Sequence, residues 1–318
     1  MVLLHTTLFI VRTCLKELVS TVVLLSLVGC QSNQPATNEN ANIAGPAQTL
    51  EHAMGTIEVP AMPERVVVVD TAPLDAALAL GIEPIGTITY GAFPSYLEED
   101  HLQGKASDIA VVGEGNQPNL ESIIQLQPDL ILGTKTGASR GLYQRLSQIA
   151  PTVFTEDSGR NGDWPENFRL YAAALGQSEQ AEQLLQRYQE QVDQLRTQIE
   201  QPQGIEISVL YTYSGRVGAY TTQSFSGSAL QDVGLSRTPA QDLTNDYALE
   251  FSAEALDQLN GDYIFLVHYL DFPGSLLKED FVNNPVWSQL EAVRQNRVCE
   301  VPGAVWAAGR SLLAAQQI

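Results

Sequence analysis

Aromatic and cationic side chains stand at the ends of short apolar runs or in the loops that follow them: Tyr90 with Phe93 and Tyr96, Lys135, Arg140, Tyr213, Arg216, Tyr220, His268 and Trp306. Rings offer flat apolar surface with a polarised edge, and Lys and Arg supply charge-assisted hydrogen bonds. Arg adds a planar fork that matches carboxylate-like groups. Such a set suits a bulky, oxygen-rich and often anionic ligand. Taken singly, each residue serves core packing or surface solvation equally well; the set is what points to binding. Trp164 and Trp287 stand at the start of, or inside, helical stretches and are assigned to packing.

Signatures of phosphate and dinucleotide chemistry are missing. The chain has no phosphate loop ending in Gly-Lys-Ser/Thr and no complete dinucleotide fingerprint opening a helix. Gly113-Glu-Gly115 begins such a fingerprint but runs into Asn116-Gln-Pro118. His52, His101 and His268 are scattered over the chain. A zinc or manganese receptor would need several of them to converge with carboxylates, which is kept as an alternative. The expectation is a binder, not an enzyme, with no cofactor and no protein-held metal.

Strand and helix signals alternate, the mark of an α/β fold with parallel strands. In the first half, Arg65–Asp70, Ile85–Tyr90, Ile109–Gly113, Leu130–Gly133 and Thr152–Thr155 read as strands. Thr71–Leu80, Asn119–Gln127 and Tyr143–Ala150 read as helices between them. The pattern restarts beyond residue 203. There Glu206–Tyr213, Gly218–Thr222, Asp262–Tyr269 and Arg297–Val301 are strands, and Ser228–Gly234, Ala253–Leu259 and Pro285–Arg294 are helices. Between the halves, Glu166–Leu175 and Ser178–Gln201 are helical, with Gly176 separating them. Ala181, Leu184, Leu185, Tyr188, Val192, Leu195 and Ile199 form one apolar face. Ser178 is the expected N-cap, and the second helix makes about 36 Å of rod. Two Rossmann-like α/β lobes, 50–163 and 203–318, are thus expected on either side of a linking helical pass at 164–202. Ligands of such sheets lie beyond the carboxyl ends of the strands, so the expected site is a cleft between lobes.

Residues 1–29 read as an export signal. Arg12 and Lys16 precede the apolar run Leu18–Val28, which is too short to span a bilayer and ends at Gly29-Cys30. Leu27-Val28-Gly29-Cys30 resembles the bacterial lipoprotein signal, in which Cys30 would carry the lipid. Residues 30–49, rich in Asn, Gln, Ala and Pro, read as a flexible tether. Cys299 lies in a strand-like alternation and is expected to be structural. With 17 Lys and Arg against 37 Asp and Glu, the net charge of −20 argues against nucleic acid or an anionic bilayer surface as a partner.

Ordered short segments then give a resemblance over about residues 50–312. They are His52-Ala-Met-Gly55, Val59–Arg65, Pro118-Asn-Leu-Glu121, Gln127–Ile131, Leu146–Val153, Trp164–Phe168 and Ala174-Leu-Gly176. Ser224–Ser228, Phe251–Leu256, Pro285–Leu290, Asn296-Arg-Val298 and Trp306 complete the series. In this order and spacing the chain resembles the iron–siderophore substrate-binding proteins of bacterial ABC importers, the ferric-citrate and hydroxamate receptor group. The resemblance implies two lobes on a rigid linking helix, closing slightly around a ferric chelate whose iron is held by the chelator alone. It implies a monomer, lipid-anchored on the periplasmic or outer face of a membrane. Cargo would pass to a permease with a cytoplasmic ATPase. One acidic residue on each lobe would meet the permease: Glu254 by its Ser-x-Glu context, and Glu121 on the first lobe, where Glu98, Glu99 and Glu114 also compete. Arg216 matches a position where the family often places a ligand-binding cation. Cobalamin and haem receptors share the fold and remain alternatives. The family's final helix usually continues past the point where this chain stops, so the second lobe is expected to lack its last turns.

Overall fold

A computed structural model describes residues 47–90, 94–97, 108–135, 139–156, 163–213, 216–243, 246–268 and 285–318. Cys30, Phe93 and His101 lie outside these, as do the side chains of Tyr213, Arg216 and Glu254. The first lobe is built on strands β3 (Val66–Val68), β4 (Gly86–Thr89), β5 (Ala110–Glu114), β6 (Gln117–Pro118), β7 (Leu130–Thr134) and β8 (Thr152–Thr155). Their order in the sheet is β6-β5-β4-β3-β7-β8, parallel except for the short β6 against β5. Val66, Val67 and Val68 are all buried, as a central strand covered on both faces requires.

Helix α1 (Thr71–Ala79) leaves β3 directly, and its cap Asp70 accepts a hydrogen bond from Thr71 N–H at 2.7 Å. Every residue from Ala72 to Leu78 is buried, so this helix lies inside the molecule and not on its surface. Helix α2 (Leu120–Leu126) is capped by Asn119, whose side chain accepts from Glu121 N–H and Ser122 N–H at 3.0 and 3.1 Å. Helix α3 spans Ser139–Leu146, starting four residues before the expected Tyr143.

A hairpin precedes this sheet where a tether was expected to end. Strands β1 (Ala47–His52) and β2 (Gly55–Pro60) pair antiparallel, with His52 opposite Gly55. The alternation of half-buried and exposed side chains along Leu50–Val59 is the strand signal. The hairpin is fastened by Gln48 Nε2 donating to Ala173 O at 2.8 Å and by Ala53 N–H donating to Phe154 O at 2.9 Å. Residues 47–49 therefore belong to the fold.

Two helices follow, α4 (Trp164–Ala174) and α5 (Ser178–Gln198). Gly176 turns between them at φ +69°, and a Cβ there would meet Ala61 O at 2.4 Å. Ser178 is the first helical residue and not the cap; Gln177 occupies that position without a side-chain hydrogen bond. Ala181, Leu185, Tyr188 and Val192 are buried at alternating spacings of four and three. The rod reaches both lobes. Gln180 donates to Leu80 O at 3.3 Å on the first. On the second, Tyr188 Oη donates to Asp232 Oδ2 at 3.0 Å and Arg196 donates to Asp232 O.

The second lobe departs from an all-parallel sheet. Its strands are β9 (Glu206–Tyr213), β10 (Arg216–Tyr220), β11 (Ser236–Arg237), β12 (Ala248–Phe251), β13 (Tyr263–His268) and β14 (Val298–Pro302). They follow the order β12-β10-β9-β13-β14, with β11 also on β9. β9, β13 and β14 are parallel, but β10 is antiparallel to β9 and β12 to β10. Two residues separate β9 from β10, whereas a parallel crossover needs a dozen or more. Where β10 and β11 part along β9, the freed carbonyls need donors. Buried Gln241 donates to Val209 O and Tyr220 O at 3.1 and 3.0 Å, and buried Arg237 donates to Tyr220 O at 3.2 Å. Helix α6 (Phe225–Asp232) is capped by Ser224 Oγ accepting from Gly227 N–H at 2.9 Å. The expected helices at 253–259 and 285–294 are tighter: a 3₁₀ segment at Ala253–Leu259, then a 3₁₀ turn at Trp287–Gln289 leading into α7 (Glu291–Arg294).

The chain then returns to the first lobe through α8 (Gly303–Trp306) and α9 (Leu312–Ala315). Asp75 of α1 accepts from Leu313 N–H and Ala314 N–H at 2.9 and 3.0 Å and from Tyr96 Oη at 3.1 Å. Leu312 to Ala315 are buried, within one apolar core that runs from β3 and β7 through α1, α4 and α5 to β9, β13 and β14. The last segment is thus a bridge between lobes, not only an edge of the second.

Candidate functional site

On the first lobe the carboxyl ends of the parallel strands collect Asp70, Tyr90, Thr134, Lys135, Thr155 and Glu156. Tyr171 enters from α4 to tie two of these ends. Its hydroxyl donates to Gly133 O at 3.2 Å and lies 3.0 and 2.7 Å from the hydroxyls of Thr134 and Thr155. Burial holds the Tyr171 phenol well above the usual range. Tyr90, immediately after β4, donates to Asn116 Oδ1 at 3.1 Å. Burial first and the Asp70 charge second push its phenol up to about 12, while Arg310 pulls the other way. Both phenols stay protonated donors near neutral pH. Lys135 continues β7 and pairs with Glu156 at 2.9 Å, both side chains being exposed. Arg140 is exposed in the first turn of α3.

On the second lobe, the pairing of Tyr213 with Arg216 puts both at the tip of the β9–β10 hairpin. His268 ends β13, with its Nδ1 buried and without a hydrogen-bond partner. Two sequence expectations need correction. Trp306 is 1 % exposed and packs on Phe265 at a centroid distance of 4.7 Å, so it is a core residue. Tyr220 is buried with its ring against Tyr211 at 4.7 Å, and it too serves packing. Both stand beside strand ends, but the side chains turn into the lobe. Trp164 and Trp287 are buried as expected.

Tyr96, named beside Tyr90, is buried on Asp75. His52 is no metal ligand: its Nδ1 accepts from Phe154 N–H at 3.1 Å and its Nε2 lies 3.3 Å from the Tyr143 hydroxyl. Among the described residues no three His, Cys, Asp or Glu side chains gather into a metal cage. Cys299 is buried in β14. Glu121 is exposed in the first turn of α2, and Glu254 lies in the 3₁₀ segment after β12.

Arg310 is the residue that sequence reasoning missed. It stands between α8 and α9, and its Nε is buried without a hydrogen-bond partner. Its charge acts on Tyr90 and Tyr171 across the lobes. The signal was available in kind: a cation on the segment that follows the last strand, as Lys135 follows β7.

Two α/β sheets on a helical pass, offering phenols, cations and an imidazole at their strand ends, define a two-lobed solute-binding protein. The chain belongs to the periplasmic binding protein family, whose profile matches residues 66–305. It is 29 % identical over 311 residues to the "probable siderophore-binding lipoprotein YfiY" of Bacillus subtilis, covering 93 % of each chain. It is 30 % identical over 268 residues to the achromobactin-binding periplasmic protein of Dickeya dadantii, covering 81 % of this chain and 84 % of that one. Among solved structures it is similar to Staphylococcus aureus SirA complexed with staphyloferrin B. That match has a TM-score of 0.73 and 26 % identity, covering 85 % of this chain and 95 % of that one.

Proposed function

We propose that this protein is an extracytoplasmic receptor that captures a ferric siderophore and delivers it to an ABC importer. The observation that carries the reading is the extent of the likeness. Relatives named for siderophore binding align across both lobes and the pass between them, not across one shared half. The strand ends fit such a cargo: protonated phenols and exposed cations donate to chelate oxygens while the chelator keeps the iron. In this reading the protein is a monomer and no enzyme, holds no cofactor and offers iron no ligand of its own. Cys30 carries a lipid that keeps the receptor at a membrane, on its periplasmic or outer face. Tyr90, Lys135, Arg140, Tyr213, Arg216 and His268 contact the cargo, and Glu121 and Glu254 meet the permease.

A fluorescence titration tests this. The protein is titrated with ferric hydroxamate, ferric catecholate and ferric citrate, with cobalamin, haem and free zinc alongside. Saturable quenching by a ferric chelate supports the reading and names the class. Binding of cobalamin or haem alone would keep the fold and change the ligand. Binding of zinc alone, or of nothing, would overturn it.

A further inference from the structure

We infer that Tyr171 of α4 is a positioning residue for binding: its hydroxyl sets the carboxyl ends of β7 and β8, and with them the Lys135–Glu156 pair that follows. This rests on the receptor reading above and adds to it a residue that acts on the cargo only through others.

Packing alone asks for a plain ring at this position. Trp164, Phe168 and Tyr171 recur on α4 at spacings of four and three, and all three are buried. Tyr171 is 0 % exposed and still carries a hydroxyl, a group that must find partners away from water. It has as many as a phenol can hold. The O–H donates to Gly133 O at 3.2 Å, which leaves the oxygen to accept from the Thr134 and Thr155 hydroxyls at 3.0 and 2.7 Å.

Those partners lie on two strands. Thr134 and Thr155 stand opposite each other as the last residues of β7 and β8, and both are buried. β8 is the edge strand of its sheet, and the end of an edge strand opens readily unless it is held. The β1–β2 hairpin holds its outer side, with Phe154 N–H donating to His52 Nδ1 at 3.1 Å and Ala53 N–H to Phe154 O at 2.9 Å. Tyr171 holds it from α4. Gly133 leaves no slack beneath the tie, since a Cβ there would lie 2.5 Å from Phe154 and 2.8 Å from Val69. The next residues along the two strands are Lys135 and Glu156, an exposed pair at 2.9 Å. They stand beyond the strand ends, where α/β sheets take their ligands. The charges of Asp70 and Arg310 both reach Tyr171, so the tie belongs to the same group of strand ends. A site left about 1 Å loose by its supporting residues binds poorly.

The test compares full-length wild type with Y171F and with the triple variant Y171F/T134V/T155V. Each is titrated calorimetrically with ferric citrate, a ferric catecholate and a ferric hydroxamate, and affinities are compared on the chelate that wild type binds most tightly. Urea unfolding is measured beside each titration. Y171F leaves two buried threonine hydroxyls without their acceptor. It is expected to lower the urea midpoint and to weaken chelate binding about three- to tenfold. The triple variant replaces all three hydroxyls by apolar groups of similar shape, which removes that penalty. Its midpoint is expected to recover toward wild type while its affinity stays low, a split that a purely structural tyrosine would not give. Unchanged affinity in Y171F would overturn the assignment. So would an affinity that returns together with the midpoint in the triple variant. Either result leaves the receptor reading intact. Failure of wild type to bind any of the three chelates would overturn the receptor reading, and the positioning role with it.

Discussion

Asp75 is fully buried and answers to three donors, Leu313 N–H, Ala314 N–H and Tyr96 Oη. Burial outweighs these hydrogen bonds and raises its carboxyl from 3.8 to about 6. The folded state then holds this proton where the unfolded chain has lost it, so stability falls as pH rises from about 4 through about 6. His52 acts in the opposite sense. Burial lowers its pKa, so its contribution is present above the ordinary value near 6.5 and lost as pH falls. The two overlap, and a difference measurement separates them. Urea unfolding of wild type and D75N across this range should show wild type losing ground to D75N as pH rises. The change is on the order of 3 kcal/mol; a constant difference would contradict the buried ionised carboxylate. At Lys135 the expectation is small. Its charge is shared with Glu156 in an exposed pair, so K135A should weaken chelate binding about two- to fivefold, and a hundredfold loss in the same titration would contradict that sharing. These residues also mark what the sequence shows at this scale. It placed Trp306 near the last strand but not which way it turns, and it passed over Arg310. Trp306 faces Phe265, while Arg310 Nε is left without a partner.

At the scale of elements, the β-branched and apolar runs gave their strands away, because a strand buried on both faces favours such residues and admits small hydroxyls only where they find partners. Thr152–Thr155 and Glu206–Tyr213 match their strands end to end. The β1–β2 hairpin was hidden because its composition continues the polar tether; tertiary bonds to Phe154 and Ala173 fasten it to the lobe. The antiparallel β10 was legible in principle from its two-residue connection to β9. Gly176 was visible as a break between helices, and the structure adds a reason: positive φ and Ala61 O in the space of a Cβ. G176A is therefore expected to destabilise by about 1–3 kcal/mol, read as a lower urea midpoint with the slope unchanged. A midpoint equal to wild type would show that the turn between α4 and α5 relaxes freely.

For the whole molecule, a continuous apolar core joins both lobes through α1, α4, α5 and α9. Lobes sharing a core are not free to swing apart as separately packed domains are, so binding is expected with little rearrangement. The two-lobed plan was readable from alternation and from the rod. The return of the C-terminus to α1 was not, because it depends on a contact between Asp75 and residues more than two hundred positions away. The central claim is that this molecule recognises iron only inside its chelate. Isothermal calorimetry of the full-length protein, with one chelator in ferric and iron-free forms, tests it most directly. The account expects one saturable site per chain for the ferric form and at least about a hundredfold weaker binding of the iron-free form. Equal binding of the two forms, or heat from ferric ion alone without a chelator, would contradict it.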